Sequence, residues 1–200
     1  MGGAALSRIV LAALLGATLY VASLVVWPSE RLEVTGNVHL ERARVLELAD
    51  LYPGDPWLWA TSGRLEALRA DPWVLEARLE RPRLGVVRIV VRERVPVATL
   101  ETPEGPVGLA ADGTRLPGAE PTGPVIAGFG EDRTLEALRV AALLPTAKRI
   151  VYNPAGFTVD WEGRQLWIRS LENLRVWLSR MNKIRGKGVA IYSWGVSIRR

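Results

Sequence analysis

Residues 71–98 read DPWVLEARLERPRLGVVRIVVRERVPVA, and their pattern sets the fold class. Asp71-Pro72 ends whatever helix precedes it, because the residue before proline is pushed out of the α region. Leu75, Ala77 and Leu79 then alternate with Glu76, Arg78 and Glu80, the period of a half-buried strand with a charged outer face. Arg81-Pro82-Arg83-Leu84-Gly85 reads as a turn. After it Val87, Ile89 and Val91 point one way while Arg88, Val90 and Arg92 point the other. The stretch is therefore two paired strands.

Upstream, Leu32-Glu33-Val34 is a short strand closed by a turn at Gly36-Asn37. Val45, Leu48, Ala49 and Tyr52 follow at helical spacing, and Gly54 and Pro56 break the pattern. Thr61 or Ser62 is placed to cap a second helix whose inner face holds Leu65 and Leu68. Strand, helix, helix, strand, strand over residues 31–94 makes a small α+β module.

Before it, Ile9 to Trp27 is 19 residues without a charge, with Arg8 on one side and Trp27-Pro28 on the other. As a helix this spans roughly 28 Å, close to the thickness of a bilayer's hydrocarbon. A cleavable signal peptide is the rival reading, but its apolar region is shorter and ends in a small-x-small site, whereas this run ends Val25-Val26-Trp27. The reading is a retained membrane helix at 9–27, with residues 1–8 as a cytoplasmic tail and the rest outside the cytoplasm. Long following domains translocate largely regardless of charge.

Residues 95–200 read as strands with two helices, a C-terminal mixed β domain. Val97–Glu101 continues from the first module with almost no linker. Val107–Ala111 and Arg115-Leu116 flank Asp112-Gly113, a tight-hairpin pair. Residues 117–124 hold three prolines and two glycines and read as loop. A helix spans about Arg133 to Leu144, and Ile150–Tyr152, Phe157–Trp161 and Leu166–Arg169 are successive antiparallel strands. A second helix carries Leu171, Leu174, Leu178 and Met181 on one stripe, with Trp177 off it and read as core. The final strand is Val189–Arg199.

Composition narrows the chemistry. Cysteine is absent and His39 is the single histidine, so thiol nucleophiles, disulfides and multi-histidine metal sites are excluded. No Ser-x-x-Lys and no Gly-x-x-x-x-Gly-Lys occurs, and Gly128-Phe129-Gly130 lacks the context of a nucleotide loop. His39 reads as solvated or capping, and Glu131-Asp132 as helix-start acids. No pair of carboxylates is singled out. No catalytic residue, metal or cofactor is expected, and neither nucleic acid nor a small-molecule substrate. The net charge of +5 comes entirely from residues 102–200, with 14 basic against 9 acidic side chains. That excess suits an acidic protein segment or anionic lipid, or is a solvated face.

What remains is binding. A strand at the end of a chain need not be covered, and an open edge can accept an extended partner segment. By the period of two, Tyr192, Trp194, Val196 and Ile198 share one face, with Arg199 on the other and Gly195 as a place of close approach. Arg175, Arg180, Lys183 and Arg185 are placed to steer an acidic segment.

The first module resembles a POTRA domain, and its wording resembles the bacterial division family FtsQ, called DivIB in Gram-positive bacteria. The resemblance rests on Val34-Thr35-Gly36-Asn37, Val45-Leu46-Glu47-Leu48, Asp71-Pro72-Trp73-Val74, Glu76-Ala77-Arg78-Leu79-Glu80-Arg81 and Arg92-Glu93-Arg94-Val95-Pro96-Val97-Ala98. It departs at Asp55-Pro56-Trp57, where the family often has an Asn-Leu-Phe-like sequence. It implies a non-catalytic scaffold in the plasma (inner) membrane at the division septum, linking early and late division proteins. It also implies that the last strand and the helix before it dock FtsB and FtsL. Tyr192-Ser193-Trp194-Gly195 matches the family's Tyr-x-x-Gly, although the usual preceding aspartate and arginine are replaced by Val189-Ala190-Ile191. The alternative is a POTRA-bearing factor for secretion or outer-membrane assembly, whose usual barrel or repeated modules do not fit in 200 residues.

Overall fold

The computed structural model describes the backbone of residues 3–180 and 186–199, and the side chains of residues 8–22, 27–180 and 186–198. Among these the chain is mixed α+β, with five α-helices and two sheets. Its contacts divide it into two compact units, Met1–Arg94 and Val95–Arg200.

The first unit begins with helix α1 (Gly3–Val26). Among the described residues no helix is long and apolar enough to cross a membrane; the expected span at 9–27 includes side chains 23–26, which lie outside the described ones. Strand β1 (Arg31–Thr35), helix α2 (Arg42–Leu48), helix α3 (Glu66–Ala70) and strands β2 (Val74–Arg83) and β3 (Val86–Glu93) follow. The sheet order is β1-β3-β2, with β1 parallel and β2 antiparallel to β3. Val45, Ala49, Leu65, Leu68 and Ile89 are fully buried between the helices and this sheet.

Four expectations for this unit are corrected. β-Bulges between Val74 and Glu76 and between Glu80 and Arg83 shift the β2 register. The first puts Val74 in the core instead of Leu75, which is 43% exposed; the second lets the strand run through Pro82 to Arg83, beyond the expected turn. Helix α2 stops at Leu48 and Asp50 takes a positive φ, so Leu51 turns inward and Tyr52 outward. Thr61 and Ser62 start a 3₁₀ turn (Ser62–Leu65) ahead of α3, and Thr61, at its N-cap, makes no side-chain capping bond.

The quoted motifs meet at one end of the unit. Gly36 has φ +81°, and a Cβ there would run into the Val91 carbonyl, so the turn after β1 requires glycine. The Glu93 carboxylate accepts the backbone N–H groups of Val38 (3.0 Å), His39 (2.6 Å) and Leu40 (2.9 Å). Arg94 donates to the carbonyls of Pro72 and Val74 at 3.0 and 2.5 Å. The exposed His39 ring stacks on Trp73 with centroids 3.5 Å apart, and Glu41, not His39, stands at the N-cap of α2. Glu93 is thus the charged clasp of a loop more than fifty residues away in sequence. Glu93→Ala is expected to cost about 2 kcal/mol, since three charge-assisted bonds exchange for water. Thermal melting of the variant beside Glu93→Gln, which keeps one acceptor and should lose less, checks this.

The second unit is built on a nine-stranded sheet among the described residues. In chain order its strands are β4 (Pro96–Thr102), β5 (Gly105–Ala110), β6 (Arg115–Leu116), β7 (Val125–Gly128), β8 (Ala147–Asn153), β9 (Gly156–Trp161), β10 (Arg164–Ile168), β11 (Gly188–Ile191) and β12 (Val196–Arg199). Their spatial order is β12-β11-β10-β9-β8-β7-β4-β5-β6. Helices α4 (Thr134–Leu143) and α5 (Leu171–Leu178) pack on one face, over β7, β8, β10 and β11. Phe157, Ile150, Leu166, Ile168 and Leu174 are fully buried there. Strand β7 falls between the expected loop at 117–124 and the glycines at 128 and 130, where no element was expected, and it runs parallel to both β4 and β8. Its last residue, Gly128, has no room for a side chain, since a Cβ would enter the Tyr152 ring.

Asp132 precedes α4, and its Oδ1 accepts the Thr134 N–H at 2.9 Å. Hydrogen bonds from the Thr134 side chain, then from its backbone, hold the Asp132 carboxyl below the ordinary 3.8. The folded pKa is depressed. Its stabilisation is therefore full above the ordinary value and is lost as pH falls through the lowered one. Asp132→Asn should flatten that part of the acid dependence in a series of thermal melts below 3.8.

Candidate functional site

The last strand expected at Val189–Arg199 is two strands. Tyr192 N–H donates to the Gly195 carbonyl at 2.9 Å, which closes a turn, and β12 folds back antiparallel on β11. Strand β11 is parallel to β10, so β12 ends the sheet as its edge.

The hairpin separates residues that a continuous strand would place together. Val196 pairs with Ile191 and Ile198 with Val189, and these residues face the helices. Val196 packs partly against the core, whereas Ile198 stays 49% exposed because, among the described residues, no strand lies beyond it. Tyr192 and Trp194 stand on the opposite face. The Tyr192 ring lies 5.2 Å from Trp167 of β10, and Trp194 stacks on Tyr192 at 5.0 Å and 12°. Trp194 is 80% exposed at the end of this row of rings. Beside it a groove of about 320 Å³ runs over Thr158, Gln165, Trp167, Ala190 and Ser197. The single-face reading of Tyr192, Trp194, Val196 and Ile198 is therefore replaced by an edge with two different faces, one aliphatic and one aromatic.

Among the described residues no strand pairs with the outer side of β12. In an antiparallel ladder, alternate pairs exchange their N–H and C=O groups and the intervening pairs point theirs outward. With Tyr192 and Gly195 bonded, the phase leaves the backbone groups of Val196 and Ile198 aimed away from β11. Gly195, in the turn, has open space where a Cβ would stand. Arg199 pairs with Gly188 in the ladder.

Arg175 is exposed on α5, which packs on β10 and β11. Arg180 lies just beyond it, its guanidinium 5.5 Å from the centre of the Trp177 ring. Trp177 is partly buried against the core, and its buried Nε1–H has no acceptor among the described residues. Lys183, Arg185 and Met181 lie outside the described residues. The sequence did not single out Trp167; its signal was alternation with the buried Leu166 and Ile168.

The comparison with known families bears on the first unit: the family model for the POTRA domain, FtsQ-type, matches residues 27–94. Residues 27–94 are an FtsQ-type POTRA domain. The match spans 68 of the 200 residues and supports an FtsQ/DivIB-like family. No curated protein matches the chain.

Both free edges of the POTRA sheet are occupied by arginine. Arg42 donates to the Leu32 carbonyl of β1 at 2.6 Å, and Arg69 donates twice to the Ala77 carbonyl of β2, at 3.2 and 3.0 Å. Side chains that fill outward-facing carbonyls discourage pairing with another chain.

Proposed function

We propose that the chain is a single-pass, non-catalytic scaffold of the bacterial divisome. Residues 9–27 anchor it in the plasma (inner) membrane with residues 1–8 in the cytoplasm, residues 31–94 are the POTRA domain, and residues 95–200 are the partner-binding β domain. Strand β12 receives an extended segment of an FtsB- or FtsL-type partner, whose backbone supplies the affinity. Ile198 on one face, and Tyr192 and Trp194 on the other, select its alternate side chains. Arg175 and Arg180 belong to the basic flank that favours an acidic partner segment, and Arg199 continues the paired strand. Through these contacts the protein links early and late components of septum formation.

The observation that carries this reading is the FtsQ-type POTRA domain at residues 27–94, which directly follows 19 uncharged residues. The open β12 edge supports the mode of docking. The test is affinity capture with the detergent-solubilised full chain from membranes of its own cells. Short coiled-coil division proteins are the expected captures. Recovery of outer-membrane assembly proteins in their place would overturn the reading.

A further inference from the structure

The end of the POTRA domain where α1 enters carries a surface that partner docking at β12 does not use. Residues 27–29 are tied to the loop before the first 3₁₀ turn. Trp57 N–H donates to the Trp27 carbonyl (3.0 Å), Ser29 N–H to Asp55 (2.7 Å) and Gly54 N–H to Ser29 (3.0 Å), around a Pro28–Pro56 bridge. Arg64 pairs with Asp55 at 3.0 Å and braces that loop. The Trp57 indole donates to the Val86 carbonyl at 2.9 Å, which locks the turn to the sheet. The exit of α1 is thus fixed to the domain by backbone bonds.

From this fixed point the 3₁₀ turn Trp57–Trp59 holds Leu58 and Trp59 outward, 44% and 49% exposed. The Trp59 ring comes within 6.2 Å of Tyr20 on α1. Tyr20 lies seven residues before Trp27, so the turn reaches about 10 Å along the helix toward its start. Tyr20, Trp27, Leu58 and Trp59 are all exposed, apolar or aromatic, and continuous with the flank of α1. Arginines adjoin them. Arg31 and Arg83 pair on either side of Val86, and the Arg81 guanidinium sits 5.3 Å from the Trp57 ring centre. Of the acids nearby, Asp55 pairs with Arg64, Glu33 pairs with Arg88 and reaches Arg31 at 4.0 Å, and Glu30 packs beside Gly85. Amphipathic rings beside the guanidinium groups of Arg81 and Arg83 match the headgroup region of a bilayer with anionic lipid.

We propose that the Trp57–Trp59 turn is a membrane foot, which enters the headgroup region of the leaflet on the domain's side and holds the POTRA domain against the bilayer. This rests on the reading of residues 9–27 as an anchor. The foot fixes the height and tilt of the domain, because the turn and the helix exit move as one piece.

The chain has no cysteine, so single labels are clean. Full-length Trp59→Cys, Leu58→Cys, Leu14→Cys and Val38→Cys would each carry a nitroxide, in vesicles of phosphatidylcholine with phosphatidylglycerol. Collision with oxygen is compared with collision with a water-soluble nickel chelate. Leu58→Cys keeps Trp59 and guards against a label that displaces the turn. Val38, 92% exposed, is the aqueous reference, and Leu14 reports the anchor. The expected oxygen preference at positions 58 and 59 lies clearly above that at 38 and below that at 14. Positions 58 and 59 matching 38 while 14 reads hydrocarbon would overturn the foot, keep the anchor and leave the patch to a protein. An aqueous reading at 14 as well would overturn both.

Discussion

Replacing Ile198 with proline is expected to lower partner affinity at least tenfold while leaving the protein folded. The phase of the β11–β12 ladder, set by the Tyr192–Gly195 bond, aims the Ile198 N–H away from β11. Proline there removes an outward donor without breaking a bond to β11, and edge strands tolerate proline with that orientation. A partner strand would meet a missing N–H and a ring in its path. A buried acceptor left unpaired costs about 1–3 kcal/mol, and about 1.4 kcal/mol is a factor of ten in Kd. Ser197→Pro is the internal contrast. Its N–H faces Ala190 in the pair that bonds, so that variant should loosen the hairpin and melt earlier. Titration calorimetry against the captured partner, with circular dichroism on both variants, decides the matter. Ile198→Pro binding like the wild type would show that the partner does not add to this edge.

The largest loss of stability is expected from Phe157→Ala. Phe157 is fully buried in β9, opposite Tyr152 of β8 and Ile168 of β10. The Arg133 guanidinium lies 4.3 Å from its ring centre, held by the Asn153 carbonyl at 3.0 Å and Glu136 at 2.7 Å. Truncation removes buried ring area, leaves a cavity beneath α4 and takes away the cation's π surface. The expected cost is about 3–5 kcal/mol. In a unit of this size that lowers Tm by about 15 °C or more. Phe157→Leu fills most of the space and should lose much less. Scanning calorimetry of the three proteins gives the comparison, and a change in Phe157→Ala no larger than in Phe157→Leu would place the centre of the core elsewhere.

Much of the POTRA domain was legible because its signals are local. Alternation at Val87, Ile89 and Val91, helical spacing at Val45 and Ala49, and the stop at Asp71-Pro72 each act within a few residues. The bulges in β2 were not legible, since a bulge is set by what the opposite strand presents. Glu93 could be quoted as part of a motif, but its role as a clasp needs a loop 53–55 residues away. In the second unit the Asp112-Gly113 hairpin and both helices were readable. Strand β7 was not, because four residues after a proline-rich loop have no period to recognise, and parallel pairing with β4 and β8 decides their state.

The candidate site divides the same way. That the chain ends in β-branched and aromatic residues able to form a sheet edge is a property of residues 189–199 alone. Whether they make one strand or two is not, because the turn at Tyr192–Gly195 competes with extension and is chosen by the pairing of Val196 and Ile198 with β11. Sequence by itself determined the order of strands and helices in the first unit, the apolar segment before it and the absence of thiol and multi-histidine chemistry, all fixed by composition and short-range periodicity. Tertiary structure alone decided the parallel pairings, the two faces of the terminal edge and the meeting of Trp59 with Tyr20, since contacts across tens of residues depend on which surfaces the folded chain leaves to be covered.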